Sequence, residues 1–155
     1  MKRFKKILAP TDFSDHSDAG LRYADYLAKT FGSEVLVFHV LPHQEVEKKE
    51  ALPPPSGYVD EISKETELTA ADHYRKAALP GPAGSRPKTA AASGVPFVEI
   101  IHKEREEGCD LIVMSTHGRT GLNHMLVGSV AETVVRLARK PVWTVRKKAF
   151  AFERP

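Results

Sequence analysis

The chain has 155 residues, 41% hydrophobic and 28% charged, with one cysteine and a formal net charge of +3. That length suits one domain with a sizeable core, and the balance is that of an ordinary globular protein. No apolar run reaches the roughly 18 residues of a membrane span. The basic residues 2–6 lead into too short an apolar stretch for a signal peptide. Lone Cys109 excludes an intrachain disulfide and suits a small buried position. The basic clusters at 2–6 and 136–148 fall short of the aromatic-interleaved stripe of a nucleic-acid surface. A cytoplasmic protein with neither nucleic-acid nor membrane partners is expected.

Ile7, Leu8 and Ala9 form a short apolar run that reads as a buried strand. Ser14 is an N-cap residue by type. Leu21, Ala24, Leu27, Ala28 and Phe31 then recur at helical spacing until Gly32, placed as a C′ glycine. Residues 34–40 are apolar and valine-rich, as in a parallel strand covered on both faces. Residues 41–58, with Pro53, Pro54 and Pro55, read as a flexible loop. Residues 59–79 lack Gly and Pro and read as a helix, with a poor apolar stripe of Val59, Ile62, Leu68, Ala71 and Ala78. Residues 79–94 read as irregular, with at most a weak, short strand at Lys88–Ala92: Pro80-Gly81-Pro82 is strong punctuation, and Ala90, Ala91 and Ala92 are poor strand formers.

Pro96 suits the first turn of a helix that carries Phe97, Ile100, Ile101 and Glu104 and stops at Gly108. Leu111, Ile112, Val113 and Met114 form the next strand. Val130, Val134, Leu137 and Ala138 mark the last helix, and Val142–Val145 the last strand. Residues 148–155 are a tail to a domain spanning 1–147. Alternating strands and helices argue for a parallel α/β sheet.

The segment from Met114 to Ser129 carries the chemistry. A strand, a glycine-containing loop and a helix start bring backbone N–H groups and a favourable dipole to an anion. No G-x-x-x-x-G-K-[ST] loop, early G-x-G-x-x-G or nucleophile elbow is present. His117 and His124 have no third partner close in sequence, so they do not make a metal-ligand set. No base to activate water is evident, and no transition-state arginine apart from Arg119.

Gly118, nine residues, then Gly128-Ser129 resembles the nucleotide loop of the universal stress protein family, G-x-x-G-x9-G-[ST]. Ile7 to Ser14 resembles that family's first strand and turn, and Phe38-His39-Val40 its second strand end. Gly128 to Glu132, and Lys140 to Val145, resemble its last helix and strand. One position departs: Ser115 stands where the first loop glycine is expected, where its side chain either crowds a ribose or hydrogen-bonds to it.

The resemblance implies an α/β, single-domain, open parallel five-stranded sheet of order 3-2-1-4-5, Rossmann-like, with helices on both faces. Ligands in such sheets bind where the winding reverses, beyond the carboxyl ends of the strands. It further implies ATP, AMP or ADP as a regulatory ligand, Mg²⁺ or Mn²⁺ carried with the phosphates, and a homodimer through Val142–Val145. Asp12 resembles the position contacting the adenine or ribose side, and also reads as an Asx turn. Val40 resembles a backbone contact to adenine, or is a core valine; Pro10 and Thr11 shape the wall. Met114 and Val130 would flank the ligand or belong to the core. Gly118 and Gly128 are phosphate positions or plain turns, and Arg119 pairs with phosphate or with water. Ser129 offers its hydroxyl to phosphate or metal, or opens a capping box with Glu132. The alternatives on the same fold are an interaction module without nucleotide binding or a slow ATP hydrolase, with no catalysis expected beyond that.

Overall fold

Ile7, Leu8 and Ala9 are fully buried, and the strand they form, β1 (Lys6–Thr11), is the centre of the sheet. The computed structural model describes residues 4–41, 58–77, 87–118 and 128–146. In chain order it contains β1, α1 (Ser17–Phe31), β2 (Glu34–Leu41), α2 (Tyr58–Ala77) and β3 (Lys88–Ser93). These are followed by α3 (Pro96–Glu106), β4 (Leu111–Ser115), α4 (Ser129–Leu137) and β5 (Val142–Val145). The sheet is parallel with order β3-β2-β1-β4-β5. In β1 against β2, Ile7 lies opposite Val35; against β4 it lies opposite Leu111.

Alternate side chains of each strand feed two cores. Ile7, Ala9, Val35, Val37, Leu111 and Val113 pack with α1 and α2. Leu8, Leu36, Phe38, Ile112 and Met114 pack with α3 and α4. Burial on both faces is why these strands read as continuous apolar runs. Burial also pushes the Cys109 thiol up to about 11, fitting a structural rather than reactive cysteine. Among the described residues no helix is long and apolar enough to cross a membrane.

Helix α1 presses closely on β4. A Cβ added to Gly20 would lie 3.0 Å from the Ser115 nitrogen and 3.2 Å from the Met114 carbonyl carbon. The helix ends at Gly32, whose φ of 68° is the left-handed conformation expected of a C-cap glycine. Its start differs from expectation: the helix opens at Ser17, and His16 is the N-cap residue. Ser14 nevertheless accepts the Ser17 N–H on its Oγ at 3.2 Å, so its hydroxyl serves from one turn earlier.

Among the described side chains of α2, the buried face departs from the expected stripe at Leu68 and Ala71, while the side chains of Val59, Ile62 and Ala78 lie outside those described. Thr66, Ala70, Tyr74 and Ala77 turn inward, whereas Leu68 is 72% exposed. The Tyr74 hydroxyl donates to Asp25 Oδ1 at 3.1 Å, linking α2 to α1 through a polar contact that apolar spacing does not register. Burial first, and the Asp25 carboxylate second, raise the Tyr74 phenol above its ordinary value.

The weak strand expected within the irregular segment 79–94 is a regular one, Lys88–Ser93, paired with β2 from Leu36↔Lys88 to Leu41↔Ser93. Ala90 and Ala92 pack against the α3/α4-side core. Pairing along a neighbour overrides poor intrinsic propensity. Of the loop expected over 41–58, Leu41 belongs to β2 and Tyr58 to α2. Residues 42–57 and the tail 148–155 lie outside the described residues.

Glu104 continues the buried stripe of α3 and is 1% exposed, yet its Oε2 has no hydrogen-bond partner among the described residues. An unsatisfied buried polar group is costly. Glu104→Leu is therefore expected to stabilise the fold by about 1–3 kcal/mol. Urea unfolding of both proteins checks this, and a lower midpoint for the variant would refute it.

Candidate functional site

The winding of the sheet reverses between β1 and β4, and a cleft of about 340 Å³ opens at their carboxyl ends. That size falls within the ~300–1,000 Å³ of small-molecule sites.

Thr11 begins one wall. Its Oγ lies 3.0 Å from Ser17 Oγ and accepts the Phe13 N–H at 3.1 Å, tying the strand end to the start of α1. Asp12 follows, and its carboxylate has two uses. Oδ1 accepts the Ser14 N–H at 3.1 Å and the Ser14 hydroxyl, the expected Asx turn. Oδ2 lies against Gly118, where an added Cβ would be far inside contact distance. Phe13 then adopts a φ of 62°, costly for a side chain of its size. Its ring stacks on His39 with centroids 4.1 Å apart and lies 5.0 Å from His73. Buried His39 places Nδ1 2.7 Å from the Thr11 carbonyl. A carbonyl only accepts, so Nδ1 carries the hydrogen. The Phe13 turn is thus held by stacking on a ring that is itself anchored to β1.

The opposite wall begins at Met114 and Ser115. The Ser115 hydroxyl accepts the His117 N–H at 3.3 Å, so it turns to its own loop. Buried Thr116 donates its N–H to the Val145 carbonyl at 2.9 Å, while its own carbonyl accepts the Gly128 N–H at 2.6 Å. A Cβ on Gly128 would sit 2.9 Å from that same oxygen. Glycine here lets the start of α4 close onto the end of β4. The expected capping box does not form: Gly128 is the N-cap residue, and Ser129 is the first helical residue, exposed and without a cap hydrogen bond. Shifting the helix start by one residue moves the hydroxyl off the cap position.

The fold brings Pro10, Thr11, Asp12, Val40, Met114, Ser115, Gly118, Gly128, Ser129 and Val130 around this one cleft. Arg119 and His124 lie outside the described residues. Pro96 and Ile100 of α3, Phe38, His39 and Thr116 also line it and were not singled out as site residues. Pro96 and Ile100 carry no local signal, since only the crossover that lays α3 over the sheet brings them there. Pro96, Ile100, Phe38, Val40, Met114 and Val130 make an apolar slot suited to a flat ring system. Polar groups and N–H donors gather at the β1 and β4 ends. Among the described residues, no three His, Cys, Asp or Glu side chains group as a cation site.

Comparison with known proteins agrees with this geometry. The model of the Universal stress protein family matches residues 3–146. Universal stress protein MJ0577 of Methanocaldococcus jannaschii is 31% identical over 157 residues, which cover 94% of this chain and 96% of the relative. The solved structure of MJ0577 superposes with a TM-score of 0.72 at 28% identity, covering 93% of this chain and 96% of the other. A universal stress protein in complex with cAMP has a TM-score of 0.66 at 17% identity, over 94% and 98% of the two chains. One from Archaeoglobus fulgidus in complex with dAMP has a TM-score of 0.57 at 24% identity, over 94% and 100%. These last two share the fold.

Proposed function

The chain belongs to the universal stress protein family, and from that premise we propose that it binds ATP or a related adenine nucleotide as a regulatory ligand in a cytoplasmic stress response. The observation that carries this reading is the cleft itself, with an apolar slot beside a glycine-lined polar end at the winding reversal. The adenine ring would lie in the slot, with the Val40 backbone at its edge. Asp12 would meet the ribose, and the phosphates would lie along Gly118, Gly128 and the first turn of α4. The complexes of related folds with cAMP and dAMP support an adenine ligand. A Mg²⁺ or Mn²⁺ ion would arrive with the phosphate oxygens, with the Ser129 hydroxyl available to it. As a regulator, the nucleotide would act by binding two conformational or assembly states unequally.

Calorimetry of nucleotide-stripped protein with ATP and Mg²⁺, with the same sample assayed for ADP, tests this. Saturable binding without ADP formation is expected. Absence of binding by folded protein refutes the reading and favours an interaction module; steady ADP formation replaces regulation with hydrolysis.

We further propose a homodimer through β5. It is an edge strand, and unpaired strand N–H and C=O groups are a template for pairing. Trp143 is 47% exposed there, while Val145 is 3% exposed and packs in the α1/α2-side core. Lysine at Val145 would therefore damage the fold, and Trp143 is the informative position. Trp143→Lys is expected to yield monomer in sedimentation velocity with native circular dichroism. A dimer that persists places the contact elsewhere.

A further inference from the structure

Among the described residues, Asp12 lines the cleft and its neighbour Phe13 does not. Phe13 packs instead at the edge of the α1/α2-side core, partly buried. It is the middle residue of the turn in which Asp12 Oδ1 accepts the Ser14 N–H at 3.1 Å and the Ser14 hydroxyl. The backbone angles of Phe13 therefore set whether Ser14 reaches that carboxylate. Its φ is 62°, in the left-handed region that a bulky side chain rarely occupies. At a negative φ the Ser14 donors would swing away from Oδ1, and Oδ2 would lose its place against Gly118.

Two rings from outside the turn hold that conformation. The Phe13 ring stacks on His39, with centroids 4.1 Å apart and planes inclined at 20°. It also meets His73 at 5.0 Å and 33°. Ring contacts of this kind contribute beyond the area they bury. His39 is buried and donates from Nδ1 to the Thr11 carbonyl, so the first ring is fixed to the sheet. His73 belongs to α2, and its Nδ1 is 3.3 Å from Asp18 Oδ1 of α1. The next residue, Tyr74, donates to Asp25 of α1. Helix α2 is thereby tied to α1 at two points beside the ring it presents to Phe13.

We propose that Phe13 is a positioning residue for the nucleotide. Its ring, held by His39 of the sheet and His73 of α2, keeps the turn in the conformation that presents Asp12 to the ribose. The proposal rests on the adenine-nucleotide reading above. It gives α2 a part in ligand recognition, although none of its described residues lines the cleft. A purely structural role would weaken every ligand alike, because loosened packing does not distinguish one part of a nucleotide from another. The positioning role weakens only ligands that carry ribose hydroxyls for the Asp12 carboxylate to accept.

Calorimetric titration with ATP and with dideoxy-ATP, which keeps base and phosphates but lacks both ribose hydroxyls, separates the two. It is carried out on the full chain and on its Phe13→Leu, Phe13→Tyr and His73→Ala variants, each checked by circular dichroism. The wild-type protein is expected to prefer ATP by about tenfold. Phe13→Leu keeps apolar bulk without a ring, and should lose most of that preference while its affinity for dideoxy-ATP changes by less than about twofold. Phe13→Tyr should retain the preference, and His73→Ala should lose part of it. A Phe13→Leu variant that keeps the wild-type preference, with both affinities intact or equally reduced, overturns the proposal. So does an unchanged preference in His73→Ala, a part-exposed helix position that keeps the test open if Phe13→Leu does not fold. Wild-type protein that binds both ligands equally overturns the positioning role alone. Wild-type protein that binds neither overturns the nucleotide reading and the positioning role with it.

Discussion

Gly20→Val is expected to destabilise the protein by about 2–3 kcal/mol and to loosen the cleft at the same time. Even a bare Cβ at this position would press to 3.0 Å on the Ser115 nitrogen and 3.2 Å on the Met114 carbonyl carbon, and valine adds two methyl groups. Both atoms are backbone in a strand hydrogen-bonded on each side, so α1 has to move away. The replacement gains a little helix propensity, a few tenths of a kcal/mol, which does not offset overpacking. Met114 and Ser115 line the cleft, and Ser17 at the start of α1 holds Thr11. A lifted helix therefore separates the two walls. Urea denaturation should show the lower midpoint, and ATP titration of the folded fraction should show weaker binding. A variant with wild-type stability would mean that α1 and β4 tolerate a wider spacing than their packing suggests.

Gly118→Val is expected to lower ATP affinity by about 100-fold or more, equivalent to ~2.7 kcal/mol, with little change in far-UV circular dichroism. The Cβ of valine would displace Asp12 Oδ2. The other oxygen of that carboxylate holds the Ser14 turn, so rotating it away breaks the Ser14 contacts before α1. Steric blockage of the polar end and loss of the Asp12 position then act together on the ligand. The hydrophobic cores do not include this residue, so the fold is retained. Unchanged ATP affinity in the folded variant would remove the loop after β4 from the binding site.

Much of the fold was legible because both-face burial leaves a local record. Ile7 to Ala9, residues 34–40 and Leu111 to Met114 are apolar without interruption, as strands covered on both faces must be. Pro96 and Gly32 punctuate their helices where backbone chemistry requires it. β3 left only a weak record, since its alanines are held by pairing with β2 rather than by propensity. The buried face of α2 was hidden for a related reason, because Thr66 and Tyr74 do part of its packing and apolar spacing does not count them.

The site divides in the same way. Asp12, Gly118 and Gly128 could be named from the chain because their loops follow recognisable strands at a characteristic spacing. That Gly118 is small to admit Asp12, and Gly128 to admit the Thr116 carbonyl, required the two loops to be seen together. Gly20 sits in a helix interior with nothing local to distinguish it, yet it sets the approach of α1 to β4. His16 and His117 are far apart in the chain, yet their ring centroids lie 6.2 Å apart. By itself, then, the sequence determined the order of the elements and the parallel α/β class, because local spacing and burial encode them. Tertiary structure alone decided the extent of the third strand, the inward face of the described part of α2 and the α3 wall of the cleft. Each of these depends on contacts between segments that no local pattern records.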